Sequence, residues 1–415
     1  MRKLFALQGV PASGKSSFIR EHGLQRNTLS YDDMRDMFTI NAHDGDGEEV
    51  RSIRKAVTTS AVKAVHEAAR YRMSNGETLF IDNTNTSRNA LKPWLGMARD
   101  YGYKVFVLSF GNDLSLDQII LRDAFRGGRE HVGVDTISRM FDQLSAYEPH
   151  PEAEHIYKDH WDFVLNEISL DVVDLNDKKE VIVVGDVQGC GNALERLIEQ
   201  CGGMDDKDKH WIFAGDLFDR GPTPEKVLDL MWPPRRNATV VEGNHERSVR
   251  QTLMGTRTFN QSLNTTISVI PESKHKSLLK LVSQPKTVFI FKYGQYENVV
   301  THAGINYNIL GNNGDRRVVG LNPDYDYYIG GGIRSQTYLN IGTYEGFMPP
   351  LHESNPPLVR QFFGHRNDYG TDVETPNGLF PSLFPLESKV EEGGVLSAVR
   401  LFQDGTYSYE YAKED

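Results

Sequence analysis

Five stretches in the second half of the chain each follow an apolar run with a residue able to hold a cation. They are Asp186 in Gly185-Asp-Val-Gln-Gly189, Asp216 in Gly215-Asp-Leu-Phe-Asp-Arg-Gly-Pro222, Asn244 in Gly243-Asn-His-Glu246, His302 in Thr301-His-Ala-Gly304, and His365 after Gly364. The runs Val181–Val184 and Trp211–Ala214 read as buried strands, which places these residues at strand ends. Ligands of open α/β sheets gather at the carboxyl ends of strands. Carboxylates mixed with imidazole suit Mn²⁺, Fe or Zn²⁺ better than Mg²⁺ alone. Taken singly, each histidine is more often structural, and Asp-Gly turns are common. The chemistry lies in the set and its order.

The first half carries a different chemistry. Leu4–Leu7 is a short strand pattern, and Gly9-Val-Pro-Ala-Ser-Gly14-Lys15-Ser16 follows it before a helix expected from about Lys15. This is G-x-x-x-x-G-K-S in its proper setting. Its backbone N–H groups can curl around phosphates at the positive end of the helix. Gly9, Ser13, Gly14, Lys15, Ser16 and Ser17 are the nucleotide-binding candidates, with Lys15 on the β- and γ-phosphates and Ser16 on Mg²⁺. ATP and Mg²⁺ are the expected cofactors.

Three later stretches bear on where the phosphoryl group goes. Leu29-Ser-Tyr-Asp32-Asp33-Met-Arg35 reads as a strand running into a helix; Asp32 or Asp33 is either an N-cap or a reacting group. Thr78–Ile81 is a strand ending at Asp82-Asn-Thr-Asn85, which adds a carboxylate near the phosphates. Arg122 and Arg126 share one helical face at i, i+4 before Gly127-Gly-Arg129. That face is either solvated or a lid that clamps the transferring phosphoryl.

The elements that must hold these residues divide in two. The chain has 415 residues, too many for one ordinary core. A domain over 1–170, a linker over 171–180 (its polar core Asp174–Glu180) and a domain over 181–415 are expected. Trp161–Leu165 reads as a strand, and Leu278–Leu281 as part of a helix in an insertion over 249–285. A charged fraction of 25% and an apolar fraction of 39% fit a globular protein. The net charge of −11, most of it after residue 170, argues against a broad surface gripping duplex nucleic acid. Two cysteines, Cys190 and Cys201, cannot staple a fold this size and suit a reducing cytoplasm. The apolar run after Met1 is too short for a signal peptide, and no stretch is expected to span a bilayer.

The five strand ends together resemble the calcineurin-like binuclear metallophosphoesterases, whose fold is an α/β sandwich. The resemblance implies that Asp216 bridges two divalent metals, Mn²⁺ by preference. One also takes Asp186 and Gln188; the other takes Asn244, His302 and His365. It further implies that His245 protonates the leaving oxygen, that Asp219 orients His245, and that Arg220 contacts phosphate. Arg334 is a second phosphate candidate. Two positions depart from the pattern. Gln188 stands where the family has histidine, and Glu242 stands where its Ser/Thr protein phosphatases carry a basic residue before Gly-Asn-His-Glu.

Residues 1–165 resemble the 5′-OH polynucleotide kinases, a P-loop fold with a parallel sheet flanked by helices. That resemblance implies Asp32 as general base on the acceptor hydroxyl and Arg35 as its phosphate contact. Lys15, Ser16, Arg122 and Arg126 would engage ATP, with Asp82 and Asn85 nearby. Tyr31 stands where that family often has arginine. Together the two resemblances imply end healing of RNA, or less readily DNA: a 5′-phosphate added, and a 3′-phosphate or 2′,3′-cyclic phosphate removed. A separate ligase is then implied as partner. Six tyrosines (Tyr307, Tyr325, Tyr327, Tyr328, Tyr338, Tyr344) offer either stacking faces for bases or loop packing. Two alternatives stand beside this reading: a small-molecule kinase fused to a dinucleoside-polyphosphate hydrolase, and a protein phosphatase with an ATPase module.

Overall fold

The computed structural model describes residues 2–39, 41–43, 49–51, 55–126, 131–255, 266–305, 359–365 and 382–415. They form two compact units, Met1–Ile168 and Ser169–Asp415. Arg129, Arg334, the six tyrosines between 307 and 344 and part of the 249–285 insertion lie outside the described residues.

In the first unit β1 (Lys3–Gln8) passes through loop 9–14 into α1 (Lys15–Glu21), and β2 (Thr28–Ser30) runs directly into α2 (Tyr31–Phe38). A small antiparallel ribbon, β3 (Asn41–His43) with β4 (Glu49–Arg51), precedes α3 (Lys55–Ser74). Then come β5 (Leu79–Asp82), α4 (Arg88–Tyr101), β6 (Lys104–Ser109), α5 (Leu116–Ala124), α6 (Val134–Ser145), β7 (Glu154–Ile156) and α7 (His160–Ile168). The sheet is parallel in the order β2-β5-β1-β6-β7. All six residues of β1 are buried, as expected of a central parallel strand covered on both faces. Register pairs Phe5 with Phe80 and with Phe106, so the three rings stack across the sheet at 4.9 and 5.1 Å. The order reverses beside β1, and loop 9–14 leaves the sheet at that switch point.

Three expectations need correction. Trp161–Leu165 is helical, within α7. A short apolar run cannot distinguish a strand from a buried helix; Val164 and Ile168 are buried one turn apart, while Trp161 stacks on His22 at 4.0 Å. Helix α5 ends at Ala124, so Arg126 lies past its C-cap and does not share a helical face with Arg122. The supposed linker 171–180 contains β8 (Val172–Asp174), which pairs in parallel with a strand of the second unit.

That second unit continues with β9 (Glu180–Val184), α8 (Gly191–Gln200), β10 (Lys209–Phe213), α9 (Pro224–Met231), β11 (Ala238–Val240) and α10 (Asn244–Leu253). Helix α11 (Glu272–Val282) is followed by β12 (Phe289–Tyr293), β13 (Tyr296–Val300), β14 (Val359–Phe363), β15 (Leu383–Pro385), β16 (Leu396–Phe402) and β17 (Tyr407–Ala412). Two mixed sheets result, β11-β10-β9-β16-β17 and β15-β14-β13-β12-β8. The period of two along β9 explains the layering. Val181 and Val183 face the other sheet with Ile212, Phe291 and Phe362, while Ile182 and Val184 face α8 and α9 with Leu194 and Val227. Each such large apolar side chain contributes about 1.5–3 kcal/mol on burial. Among the described residues no helix is long and apolar enough to cross a membrane.

Candidate active sites

In the first unit the phosphate loop closes tightly. Gly9 has φ 151°, and a Cβ there would lie 2.5 Å from Ser13 Oγ. Lys15 Nζ donates to the carbonyls of Gly9 (2.9 Å) and Val10 (3.0 Å). Burial pushes its pKa down to about 8; Asp82 and Asp32 oppose the shift, and Arg126 adds to it. Ser16 Oγ donates to Asp82 Oδ2 at 3.0 Å, which joins the start of α1 to the end of β5. Burial raises the Asp82 pKa, against the pull of Lys15.

Register sets Ser30 beside Asp82, so α2 begins at the same sheet edge. The N-cap is Ser30, whose Oγ accepts from Asp33 N at 3.1 Å. Asp32 therefore has no capping duty. Its carboxylate is 66% exposed and pairs with Arg35 at 2.5 Å. Tyr31 turns inward, buried, with its hydroxyl 3.0 Å from His66 Nε2 and its ring edge-on to Trp94. Ser13 is buried, Ser17 half-buried and Arg122 exposed. Asn85 is wholly buried and donates to Leu7 O, so it braces the strand ends instead of facing a ligand. Sequence reading missed Asp123, whose buried carboxylate accepts from Val132 N and Gly133 N and lies 3.7 Å from Arg126 Nη1.

In the second unit all six metal candidates meet. Oxygen or nitrogen atoms of Asp216, His302 and His365 lie within 4.8 Å of one another. His302 Nδ1 lies 2.8 Å from the Ala214 carbonyl, which can only accept, so this nitrogen carries the proton. Its Nε2 faces Asp216 Oδ2 at 3.2 Å and Asn244 Oδ1 at 3.1 Å. Asp186 Oδ2 accepts from His365 N at 3.1 Å, while its Oδ1 is buried without a donor. Gln188 Nε2 donates to Asp216 Oδ2 at 3.3 Å, and its Oε1 too is buried without a donor. Gly364 permits this crowding, since a Cβ there would fall 1.7 Å from Asp186 Oδ1.

The orphaned, buried oxygens of Asp186 and Gln188, close to the Asp216 carboxylate, call for positive charge. Burial, with Glu387 and Asp216 beside it, pushes the Asp186 pKa far above the carboxylate range. Burial likewise opposes ionisation of Asp216, but His302 and His245 outweigh it and hold its pKa below that range. The donor set and the orphaned oxygens fit a pair of divalent cations. Strain is concentrated here: Gln188, Asp216, Asp219, Arg220 and His365 all have positive φ.

Glu246 supports that strain. Its carboxylate accepts from Asp216 N and Leu217 N at 2.7 Å and from Gly243 N at 2.9 Å. Burial beside Asp216 raises its pKa to about 7. His245 Nδ1 lies 2.7 Å from Asp219 Oδ2, and its Nε2 lies 3.6 Å from Asp216 Oδ2. Arg220 pairs with Glu391 at 3.2 Å. Glu242 is fully buried against Arg250, so it is a packing residue of the loop. Glu246 was visible in its motif without a role; Thr266, Glu387 and Glu391 come from segments with no signature.

Residues 4–149 match the model of the AAA domain family, and residues 179–333 match that of the calcineurin-like phosphoesterases. The chain thus joins a P-loop kinase-like domain to a calcineurin-like metallophosphoesterase domain. The first matched domain implies nucleotide binding and the second implies divalent metals. Among curated proteins it is 35% identical over 125 residues to a symmetrical bis(5′-nucleosyl)-tetraphosphatase of Marinomonas sp., covering 30% of this chain and 43% of that protein. It is 28% identical over 149 residues to an asymmetrical bis(5′-nucleosyl)-tetraphosphatase, PrpE, of Halalkalibacterium halodurans, covering 32% and 61%. The chain therefore spans only part of the length of the curated relatives it matches. A chain in the structure of the Pnkp1/Rnl/Hen1 RNA repair complex aligns at 17% identity and TM-score 0.29, covering 58% of this chain and 80% of that one.

Proposed function

We propose that this chain heals polynucleotide ends, phosphorylating a 5′-hydroxyl with ATP and removing a 3′-phosphate or 2′,3′-cyclic phosphate. The observation that carries the kinase half is Asp32, an exposed carboxylate freed from capping by Ser30 and electrostatically coupled to Lys15. Asp32 accepts the proton of the acceptor hydroxyl as its oxygen bonds to the γ-phosphorus and the bond to the β-phosphate oxygen breaks. Arg35 holds the acceptor phosphate. Lys15, Arg122 and Arg126 neutralise charge on the transferring group. Ser16 and Asp82 would hold Mg²⁺.

In the phosphoesterase half, Asp186, Gln188, Asp216, Asn244, His302 and His365 would hold divalent cations, Mn²⁺ by preference, which would supply Lewis acidity and lower the pKa of an attacking water. His245 gives its Nε2 proton to the departing oxygen, and Asp219 holds the ring from the other side. Arg220 leaves Glu391 to contact the phosphate. We assign RNA ends ahead of DNA ends, a separate ligase as functional partner and the cytoplasm as compartment.

A second reading is favoured by the curated relatives, which are named as bis(5′-nucleosyl)-tetraphosphatases. One assay separates the two. Transfer of radiolabelled γ-phosphate to a 5′-OH oligoribonucleotide is measured beside hydrolysis of a 3′-phosphorylated oligonucleotide, diadenosine tetraphosphate and a phosphopeptide. Transfer to the oligonucleotide with 3′-phosphate release supports end healing; exclusive turnover of diadenosine tetraphosphate overturns it.

A further inference from the structure

We infer that Thr266 is a positioning residue for the leaving-group acid of the phosphoesterase site, an inference that rests on His245 being that acid. Thr266 belongs to none of the five strand-end motifs. Its hydroxyl donates to Asp219 Oδ1 at 2.9 Å, and it is buried. Arg220 N donates to the same oxygen at 2.9 Å, leaving Oδ2 to face His245 Nδ1 at 2.7 Å. Thr266, Asp219 and His245 thus form one chain of hydrogen bonds that ends at Nε2, on the metal-cluster side.

The hydroxyl is fixed from behind. Thr266 lies in the helical turn 266–269, and its carbonyl accepts from Ile270 N at 3.4 Å. Ile270 is buried in the cluster with Val249, Leu278 and Leu281. His275 Nε2 lies 3.2 and 3.0 Å from the carbonyls of Ile267 and Ile270. Asp219 has φ 88°, a conformation that non-glycine residues adopt only when their surroundings impose it. A carboxylate held at one oxygen by two donors cannot rotate about Cβ–Cγ, so Oδ2 keeps the imidazole in one orientation. The proton on Nε2 then meets the departing oxygen as the P–O bond breaks.

The test uses full-length protein with Mn²⁺ and compares kcat on p-nitrophenyl phosphate, whose leaving group needs no proton, with kcat on an alkyl phosphate, whose leaving group does. Thr266→Val should raise the ratio of the two rates about tenfold, the share of one hydrogen bond, with KM little changed. Thr266→Ser should restore it, and Thr266→Ala serves if valine prevents folding. His245→Ala should raise the same ratio about 10²-fold or more. A raised ratio in His245→Ala but not in Thr266→Val or Thr266→Ala overturns the role of Thr266 alone. No change of ratio in His245→Ala overturns both the acid assignment and this inference.

Discussion

Glu242 Oε1 and Arg250 Nη1 meet at 2.5 Å with both side chains sealed from solvent. The same Arg250 nitrogen donates to Val282 O at 3.0 Å, tying α10 to α11. Breaking a buried pair strands a charge, so Arg250→Met should destabilise the second unit by about 3–5 kcal/mol. The double change Glu242→Leu with Arg250→Met should recover much of that loss. Thermal denaturation of both variants beside the wild type checks this; equal loss in the single and double changes would refute the pairing as the cause.

The two chemistries should be separable. Asp32→Ala should cut transfer to a 5′-hydroxyl by about 10²-fold or more while sparing the phosphoesterase. Asp216→Ala should do the reverse, since Asp216 contacts His302, Gln188 and His245 N. Both activities are measured on each variant, and loss of both in either one counts against independent sites.

Lys15 gives a pH signature. Its pKa of about 8, set by burial, lies below that of a free lysine. Above pH 8 the nucleotide-free protein holds Lys15 increasingly neutral, whereas bound phosphates favour the charged form. ATP binding should therefore take up a proton near pH 8.5 and weaken as pH rises further. Calorimetry in two buffers of different ionisation enthalpy reads that proton, and Lys15→Arg should abolish the uptake. The same depressed pKa means that the unfolded chain binds more protons between about pH 8 and 10.4. Lys15 thus destabilises the fold below pH 8, and its penalty lifts as pH rises through that window.

Gln188 should tune metal affinity. Its amide presents an orphaned oxygen beside Asp216 where imidazole would present a stronger nitrogen ligand. Gln188→His should lower the Mn²⁺ concentration for half-maximal 3′-phosphatase activity. Overlapping titration curves with unchanged metal stoichiometry would place residue 188 outside the coordination sphere.

The strand ends were most legible where an apolar run, a glycine and one polar residue stand in immediate succession. Asp186, Asp216 and His365 could be read from that succession alone. The phosphate loop was legible for the same reason. Residues acting from a distance were not. Thr266 and Glu391 sit in sequences without periodicity, Asp123 sits in a helix whose pattern does not mark it, and only the folded chain shows their partners. Arg126 misled because i, i+4 spacing carries no information about where a helix stops. The 171–180 segment misled because a three-residue strand among polar residues has no pattern long enough to read.

The placement of β9 between β10 and β16 also bears on the order of assembly. During translation Asp186 emerges 179 residues before His365, the residue whose backbone N–H it accepts from. The first unit, complete by Ile168, can fold while this metal cluster is still being synthesised. Closing so long a span is slow. A nascent chain should therefore bind ATP before it can hold the cations of the second site.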